Sequence, residues 1–525
     1  MVLVCALAVV RGVGKYYPIV EIESGVDAAA ASPERLRITF LLDAHSALRT
    51  CETLNGNFAR IALSKCPDCT VRQLQCAESL SLDQLAAKSD LPVAVPTAHM
   101  ALGTMVFSAG NASMALDACR ATEQQTSGEP QPVKCYAPGT PRPKPTLQIS
   151  SNNRLGLSLA AATLAALITW LVCWLIVRYE HLHSHLSHDP ADRGPQKFHA
   201  HPTPRVGGIG LFAGLIAAGG LFLLWEGAPG DYDRDFGLLL FAAAPAFLGG
   251  LIEDVTKRVG VLERLLLTMI SGAVGAWLIG AVLDRLELPG IGEFPLWLPF
   301  GVAFTAFAVG GLANAMNIVD GYNGLAAGYG IIVLLAIAAL AGQLGDNLVF
   351  VVALAMAGAL MGFLHWNWPR GRIFLGDGGA YLLGFVLAEL SILLIARHQS
   401  VSTWFPLLLL AYPVFETMFS IYRKKFVRGV SPGKPDGLHL HMLIFKRVVP
   451  LELAERRPLS VLEKNSRVAK YVWLPSAMLA LIAYWRWQNT TALIMATCIY
   501  CMLYVIAYTN IVRWKARRLC PWRRG

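Results

Sequence analysis

Residues 347–366 read NLVFVVALAMAGALMGFLHW, twenty positions without a Lys, Arg, Asp or Glu. About 20 apolar residues are what one helix needs to cross a bilayer core of roughly 30 Å. Working outward from this block, similar ones recur at about 155–177, 206–225, 236–252, 265–283, 297–313, 324–342, 379–396, 403–421, 471–487 and 490–512. The composition agrees: 55% of the residues are hydrophobic, only 15% are charged, and the mean hydropathy is +0.48. Soluble domains carry about a quarter charged residues. The chain therefore reads as an all-α polytopic membrane protein with about eleven transmembrane helices. Before the first firm block lies a polar stretch, about residues 15–153, long enough for one small domain.

A net charge of +10 raises the question of nucleic acid, and the distribution of that charge answers it. Lys and Arg gather between alternate apolar blocks: Arg178, Arg193, Lys197 and Arg205; Lys257, Arg258 and Arg264; Arg370 and Arg372; Arg423, Lys424, Lys425 and Arg428; and the basic tail. The intervening loops, such as Asp231 to Asp235 and Asp284 to Glu293, are acidic or nearly neutral. This is the positive-inside asymmetry of a bacterial inner-membrane protein, not a nucleic-acid footprint. It places residues 178–205, 253–264, 314–323, 367–378 and 422–470 in the cytoplasm. An odd number of spans with a cytoplasmic C-terminus then puts residues 1–153 outside.

Cysteine usage points the same way. Cys51, Cys66, Cys69, Cys76, Cys119 and Cys135 all precede the first span, an even number suited to disulfides in an oxidising compartment. We read Cys66-Pro-Asp-Cys69 as structural, since no histidine lies close by. Two domains result: residues 1–150, a small disulfide-bonded extracytoplasmic domain ending in a Pro-rich linker, and residues 151–525, embedded in the membrane. Val2 to Val10 are apolar but too few to span, and no basic segment precedes them as in a signal peptide. The segment 422–470, with Gly429, Pro432, Gly433, Pro435 and Gly437, is expected to be a loop with short helices.

Ionisable groups at a membrane boundary are costly and raise a functional hypothesis. Here they cluster in every expected cytoplasmic loop. Glu253-Asp254 follow the third apolar block, NAMNIVDGYNG (314–324) follows the fifth, FLGDGG (374–379) precedes the eighth, and His439-Leu-His441 lies in the long loop. Between the first two blocks runs HAHPTPRVGG (199–208), whose prolines make a stiff entry into a helix. Singly, each has a plain structural explanation: a helix cap, a turn, a solvated loop. Together, carboxylates, imidazoles and many Lys and Arg on one side describe a site for a metal and an anionic substrate. Mg²⁺ takes a few carboxylate or amide oxygens plus phosphates and water. Asp377 and Asn317 suit that task, and the glycines beside Asp377 and Asp320 allow backbone to approach phosphate closely. Lys and Arg supply the remaining phosphate contacts.

The order HPTPRVGG, a carboxylate pair, NAMNIVDGYNGL, FLGDGG and HLH resembles the polyprenyl-phosphate N-acetylhexosamine-1-phosphate transferases over about residues 155–515. That superfamily also holds the dolichol-phosphate GlcNAc-1-phosphate transferase and the phospho-MurNAc-pentapeptide translocase. The resemblance implies transfer of an aminosugar phosphate from a UDP-sugar to undecaprenyl phosphate, releasing UMP, with Mg²⁺ as cofactor and Mn²⁺ as a second candidate. It assigns Asp377 and Asn317 to the metal, Phe374 to stacking on uracil, and Asn323 and Asp320 to the nucleoside pocket, with Asp320 also a candidate catalytic group. Asp254 matches the second acid of an acid pair that acts on the lipid phosphate. Arg264, His439 and His441 match phosphate-binding positions, and Arg205 joins the substrate-binding set. Two departures stand out. The first acid of the pair is Glu253, one methylene longer than the usual Asp. The histidine motif reads HLH followed by Met442, closer to the GlcNAc-type branch than to the histidine triplet of the pentapeptide translocases. The expected partners are a UDP-HexNAc, undecaprenyl phosphate, the membrane and a second copy in a homodimer, with no nucleic acid.

Two other classes compete. Buried polar helix ends also mark transporter paths, but these carboxylates lie at helix ends on one face rather than at mid-membrane in matching halves. A catalytically inactive scaffold for glycan assembly would not need Asp254, Asn317 and Asp377 intact.

Overall fold

The computed structural model describes residues 151–189, 203–223, 232–431, 433, 437–450 and 460–513, and before them the backbone of six strands. The chain divides into two compact units: residues 1–151 with 397–400, and residues 152–396 with 401–525.

In the first unit β1 (Tyr17–Val26), β2 (Glu34–Leu42), β3 (Cys69–Ala77), β4 (Thr97–Met100), β5 (Gly103–Ala109) and β6 (Lys134–Tyr136) form one antiparallel sheet of order β3-β1-β2-β5-β4-β6. Its register pairs Ile22 with Ile38 and Ile38 with Phe107. The cysteine side chains, the Pro-rich linker and residues 2–10 lie outside the described residues, so the disulfides expected there remain a matter of sequence.

The second unit is helical. Among the described residues nine helices are long and apolar enough to cross a membrane. In our numbering these are α1 (Ser151–Arg178), α4 (Tyr232–Thr256), α5 (Val261–Ile279), α6 (Leu298–Val319), α7 (Leu325–Leu344), α8 (Asn347–Asn367), α9 (Gly376–Arg397), α13 (Val461–Arg486) and α14 (Thr490–Val512). The chain is thus a multi-pass membrane protein. Short elements lie between: α2 (Glu180–Ser187), β7 (His188–Asp189) paired with β8 (Thr203–Pro204), and the hairpin β9 (Arg285–Leu288) and β10 (Gly292–Pro295).

The two remaining expected spans differ from the nine. α3 (Gly207–Leu223) is apolar but shorter. The block at 403–421 is broken into α10 (Trp404–Leu409) and α11 (Ala411–Tyr422). The break has a local cause. Pro413 has no N–H to give to the carbonyl of Leu409, four residues back. That carbonyl instead accepts the buried Tyr329 hydroxyl at 2.7 Å, which replaces the lost bond within the apolar bundle.

Helix α9 is the axis of the bundle: every residue from Gly376 to Ile395 is buried. A helix apolar all round has no solvent face to present, so its neighbours must enclose it. They do so through glycine. A Cβ on Gly208 of α3 would strike the backbone of Gly379, and one on Gly250 of α4 would strike Asp377 and Gly378. One on Gly384 would strike Ala313 of α6, and one on Gly275 of α5 would strike the buried Glu389 carboxyl. Small residues at such crossings let helix backbones touch, the usual packing device in lipid.

Parts of three polar motifs lie within helices rather than in the loops that hydropathy suggested. α4 continues through Glu253 and Asp254 to Thr256, α6 carries Asn314 and Asn317 to Val319, and α9 already includes Asp377. Hydropathy marks where apolar side chains stop, whereas helical hydrogen bonding runs on for another turn or two. α13 begins ten residues before the expected block, started by a capping box in which the Ser460 hydroxyl accepts from the Glu463 amide at 3.2 Å. The segment before it contains the short helix α12 (Leu440–Leu443), flanked by π-helical turns at Arg423–Val427 and Ile444–Val448.

Candidate active site

The site begins where two loops zip together. The Phe374 amide donates to Pro204 at 2.8 Å, and Gly207 and Gly208 donate back to Phe374 and Leu375 at 2.9 Å. Gly376 then turns the chain with φ of 76°, and a Cβ there would strike the Arg205 carbonyl and the Asp254 carboxylate. Only glycine combines that backbone angle with that approach.

Asp377 opens α9. The opening amides of this helix are capped from outside the helix by Asp254, at the end of α4. One oxygen of Asp254 accepts from the Asp377 N–H at 2.9 Å and the other from the Gly378 N–H at 3.0 Å. A carboxylate on a helix N-terminus satisfies orphan donors and meets the positive end of the dipole. The Asp377 carboxylate meanwhile faces two guanidinium groups: Arg205 at 2.8 Å, which also lies 3.5 Å from Asp254, and Arg264 from the first turn of α5. Asp254 is 1% exposed and Asp377 5%, whereas the Arg205 and Arg264 side chains keep 27% and 18% of their surface open.

The other acids differ in what they touch. Glu253 turns away and accepts the Val259 amide at 2.8 Å, bracing the link between α4 and α5. Asp320, just past the end of α6, is half-buried, and among the described residues its carboxylate has no hydrogen-bond partner. Burial pushes its pKa up to about 7, with Asp377 and Asp254 adding to the rise and Arg205 opposing it. Asn317 is likewise half-buried with no side-chain hydrogen bond among the described residues. It lies one turn beyond Ala313, the point where α6 touches Gly384, on the α6 face that looks toward α9.

Asn323 is a seam residue. Its backbone N–H donates to the Asn465 side chain at 2.8 Å, and its own amide nitrogen donates to the Pro369 carbonyl at 3.1 Å. Beside it, the Gly324 amide donates to Asn367 at 2.6 Å. Phe374 is half-buried. His439 and His441 are buried too, their rings parallel within 4° at 5.4 Å between centroids. His439 Nδ1 meets Glu416 at 2.9 Å, and His441 Nδ1 meets the Tyr412 hydroxyl at 2.9 Å. Burial holds the His441 pKa down to about 3, against the pull of Glu416. His441 packs edge-on to Tyr322, and its Nε2 lies beside Gly321, next to Asp320.

Arg205, Asp254, Arg264, Asp320 and Asp377 thus form one electrostatic cluster, and the histidine pair adjoins it through the 320–322 turn. His199 and His201 lie outside the described residues. Sequence reading missed Glu416, Tyr412, Asn367 and Asn465. An acid inside the apolar block 403–421 was a signal for the first, and the Ser460–Glu463 box was a signal for the helix that carries the last.

Residues 236–395 match the family model for glycosyl transferase family 4. That stretch runs from α4 to α9 and contains both halves of the Asp254–Asp377 contact. The phospho-N-acetylmuramoyl-pentapeptide-transferase of Synechococcus sp. is 31% identical over 305 residues, covering 55% of this chain and 78% of the relative. The chain belongs to glycosyl transferase family 4. Other family 4 relatives include the probable undecaprenyl-phosphate N-acetylglucosaminyl 1-phosphate transferase of Bacillus subtilis, 27% identical over 54% of this chain and 76% of the relative. The undecaprenyl-phosphate alpha-N-acetylglucosaminyl 1-phosphate transferase of Escherichia coli is 28% identical over 55% and 80%. Family 4 members of both named kinds match at similar identity, so overall identity does not choose between them. With these relatives, the chain falls within the polyprenyl-phosphate HexNAc-1-phosphate transferase family.

Proposed function

We propose that this protein transfers a HexNAc-1-phosphate from a UDP-sugar to undecaprenyl phosphate at the cytoplasmic face of a bacterial inner membrane, initiating a cell-surface glycan. The observation that carries the reading is the pairing of buried Asp254 and Asp377 with Arg205 and Arg264, in a chain whose Bacillus subtilis and Escherichia coli relatives are named for undecaprenyl phosphate. In the reaction an oxygen of the lipid phosphate attacks the sugar-bearing phosphorus of the UDP-sugar. The bond from that phosphorus to the bridging oxygen breaks, and UMP leaves with the oxygen.

The residues present suit Mg²⁺, or Mn²⁺ in its place. Asp377 has lone pairs left beyond its two arginine contacts, and the Asn317 side chain offers an oxygen with no hydrogen-bond partner among the described residues. Among the described residues no cluster of three or more His, Cys, Asp or Glu could cage a metal, which fits an ion that relies on phosphate and water for most of its ligands. When bound there, the ion would neutralise charge on the two phosphates.

The protein's own groups have distinct tasks. Arg205 and Arg264 orient Asp377 and present guanidinium N–H groups to an incoming diphosphate. Asp254 has both oxygens committed to α9, so it positions Asp377 rather than moving a proton. Asp320, whose carboxylate has no hydrogen-bond partner among the described residues, is available to take a proton from the lipid phosphate. Phe374 offers an aromatic face to uracil without charge. The HLH motif favours a GlcNAc-type donor over a pentapeptide-bearing one. The strand-built N-terminal unit holds none of these groups, and we place it outside the membrane.

UMP release by the purified protein from a panel of UDP-HexNAc donors, with undecaprenyl phosphate and titrated Mg²⁺, tests the reading. UMP formed only when both substrates are present is the expected result. No UMP from any donor, in protein that remains folded, rejects it.

A further inference from the structure

Glu416 sits on α11, 1% exposed, in the middle of an apolar block. Yet its carboxylate is not idle: one oxygen meets His439 Nδ1 at 2.9 Å, and the other accepts from the Leu440 amide at 3.2 Å and from the Tyr504 hydroxyl of α14 at 2.6 Å. No lysine or arginine pairs with it among the described residues. Tyr412, one turn before Glu416 on the same face of α11, places its hydroxyl 2.9 Å from His441 Nδ1. Because both Nδ1 atoms face one helix and the two rings are parallel, both Nε2 atoms point away from α11. For His441 that direction ends at Gly321, beside Asp320. The Nε2 of His439 has no hydrogen-bond partner among the described residues.

We propose that Glu416 is the positioning residue of the histidine pair: it accepts a hydrogen bond from the Nδ1–H of His439 and so turns Nε2 toward the phosphates of the nucleotide sugar. This rests on the transferase reading above. The physical reason is tautomer control. A neutral imidazole carries one hydrogen, and a carboxylate at Nδ1 fixes it there, leaving Nε2 defined in direction and chemistry. The Leu440 amide and Tyr504 hydroxyl hold the carboxylate itself, so the ring orientation is set by three elements at once. Next to it, Arg423 donates to the Leu438 carbonyl at 2.5 Å and also bonds Tyr508, which keeps the start of the HLH segment from drifting.

Two measurements test this on the full chain in detergent. Nitrogen NMR of histidine-labelled protein, with His439 assigned by its disappearance in His439→Gln, reads the ring directly. We expect a hydrogen-bonded Nδ1–H in the wild type; a bare Nδ1 with the hydrogen on Nε2 overturns the proposal, whatever the enzyme does. The second is a double-mutant cycle on UMP release. Glu416→Gln keeps the size and one acceptor, and should lower kcat/KM on the order of 10- to 100-fold, as loss of an orienting partner of histidine does. In a His439→Gln background, Glu416→Gln should then cost little more, because its effect passes through a ring already gone. Losses that multiply mean Glu416 only braces α14, and overturn the proposal. If the wild type releases no UMP, the transferase reading fails, and the NMR arm still decides the Glu416–His439 pairing.

Discussion

Asp377→Asn keeps the size of the side chain but removes the negative charge that Arg205 and Arg264 share. If the residue merely began a helix, Asn would serve almost as well, but Asp254 already caps α9 and the Asp377 carboxylate points elsewhere. UMP release should therefore fall by at least about 10²–10³, the usual effect of losing a preorganised electrostatic group, with thermal unfolding little changed. Turnover within a few-fold of wild type at ordinary Mg²⁺ would remove Asp377 from the chemistry. Asp320 calls for a different measurement. Burial pushes its pKa up to about 7, which makes the protonated form dominant below that pH and the charged form dominant above it. If the charged form accepts a proton from the lipid phosphate, kcat/KM should rise as pH passes upward through about 7. Asp320→Asn should lower the rate and abolish that rise. A wild-type profile flat from pH 6 to 8 would assign Asp320 to binding alone.

Helices touch at backbone distance around α9, and that contact sets where Asp377 stands. A Cβ on Gly250 would meet backbone atoms of Asp377 and Gly378, which cannot rotate aside as a flexible side chain can. Gly250→Ala should therefore push the start of α9 away from Asp254, and a shift near 1 Å can cost about 10²-fold in rate. We expect kcat to fall more than KM rises, in protein that still purifies as a folded species; unchanged kcat would show that α4 and α9 are looser than their packing implies. The same elements explain what could be read from sequence. The apolar blocks located most helices, because crossing a bilayer constrains composition directly. The motif order grouped Arg205, Asp254, Asp320 and Asp377 in one expected site, and the structure has them interacting. It did not foresee that Asp254 holds backbone while Asp377 holds arginines, since two aspartates look alike until their neighbours are known. Glu416 was hidden for another reason: one acid barely alters the average of an apolar block, and its partners lie 23 and 88 residues away. Pro413 was visible, but the hydroxyl of Tyr329 that makes the helix break tolerable was not.

At the scale of the whole chain, the proposed chemistry falls to one of the two units. All residues proposed for the site lie between Arg205 and His441, in the helical unit, and the helix that holds Asp377 is enclosed by α3, α4, α5 and α6 of that same unit. The strands of the first unit form a sheet with hydrogen bonds among themselves. Removing residues 1–150 should therefore leave both the packing around α9 and the rate of UMP release within a few-fold of the intact protein. The comparison needs two controls, because a membrane protein can lose activity by unfolding in detergent. Thermal unfolding of the truncated protein should resemble that of the full chain, and Asp377→Asn should inactivate both forms equally. If the truncated protein is folded, responds to Asp377→Asn, and keeps its rate, the N-terminal unit serves something other than bond formation. A well-folded truncation that has lost turnover would instead make that unit part of the catalytic machinery, and would require a path by which it reaches the site.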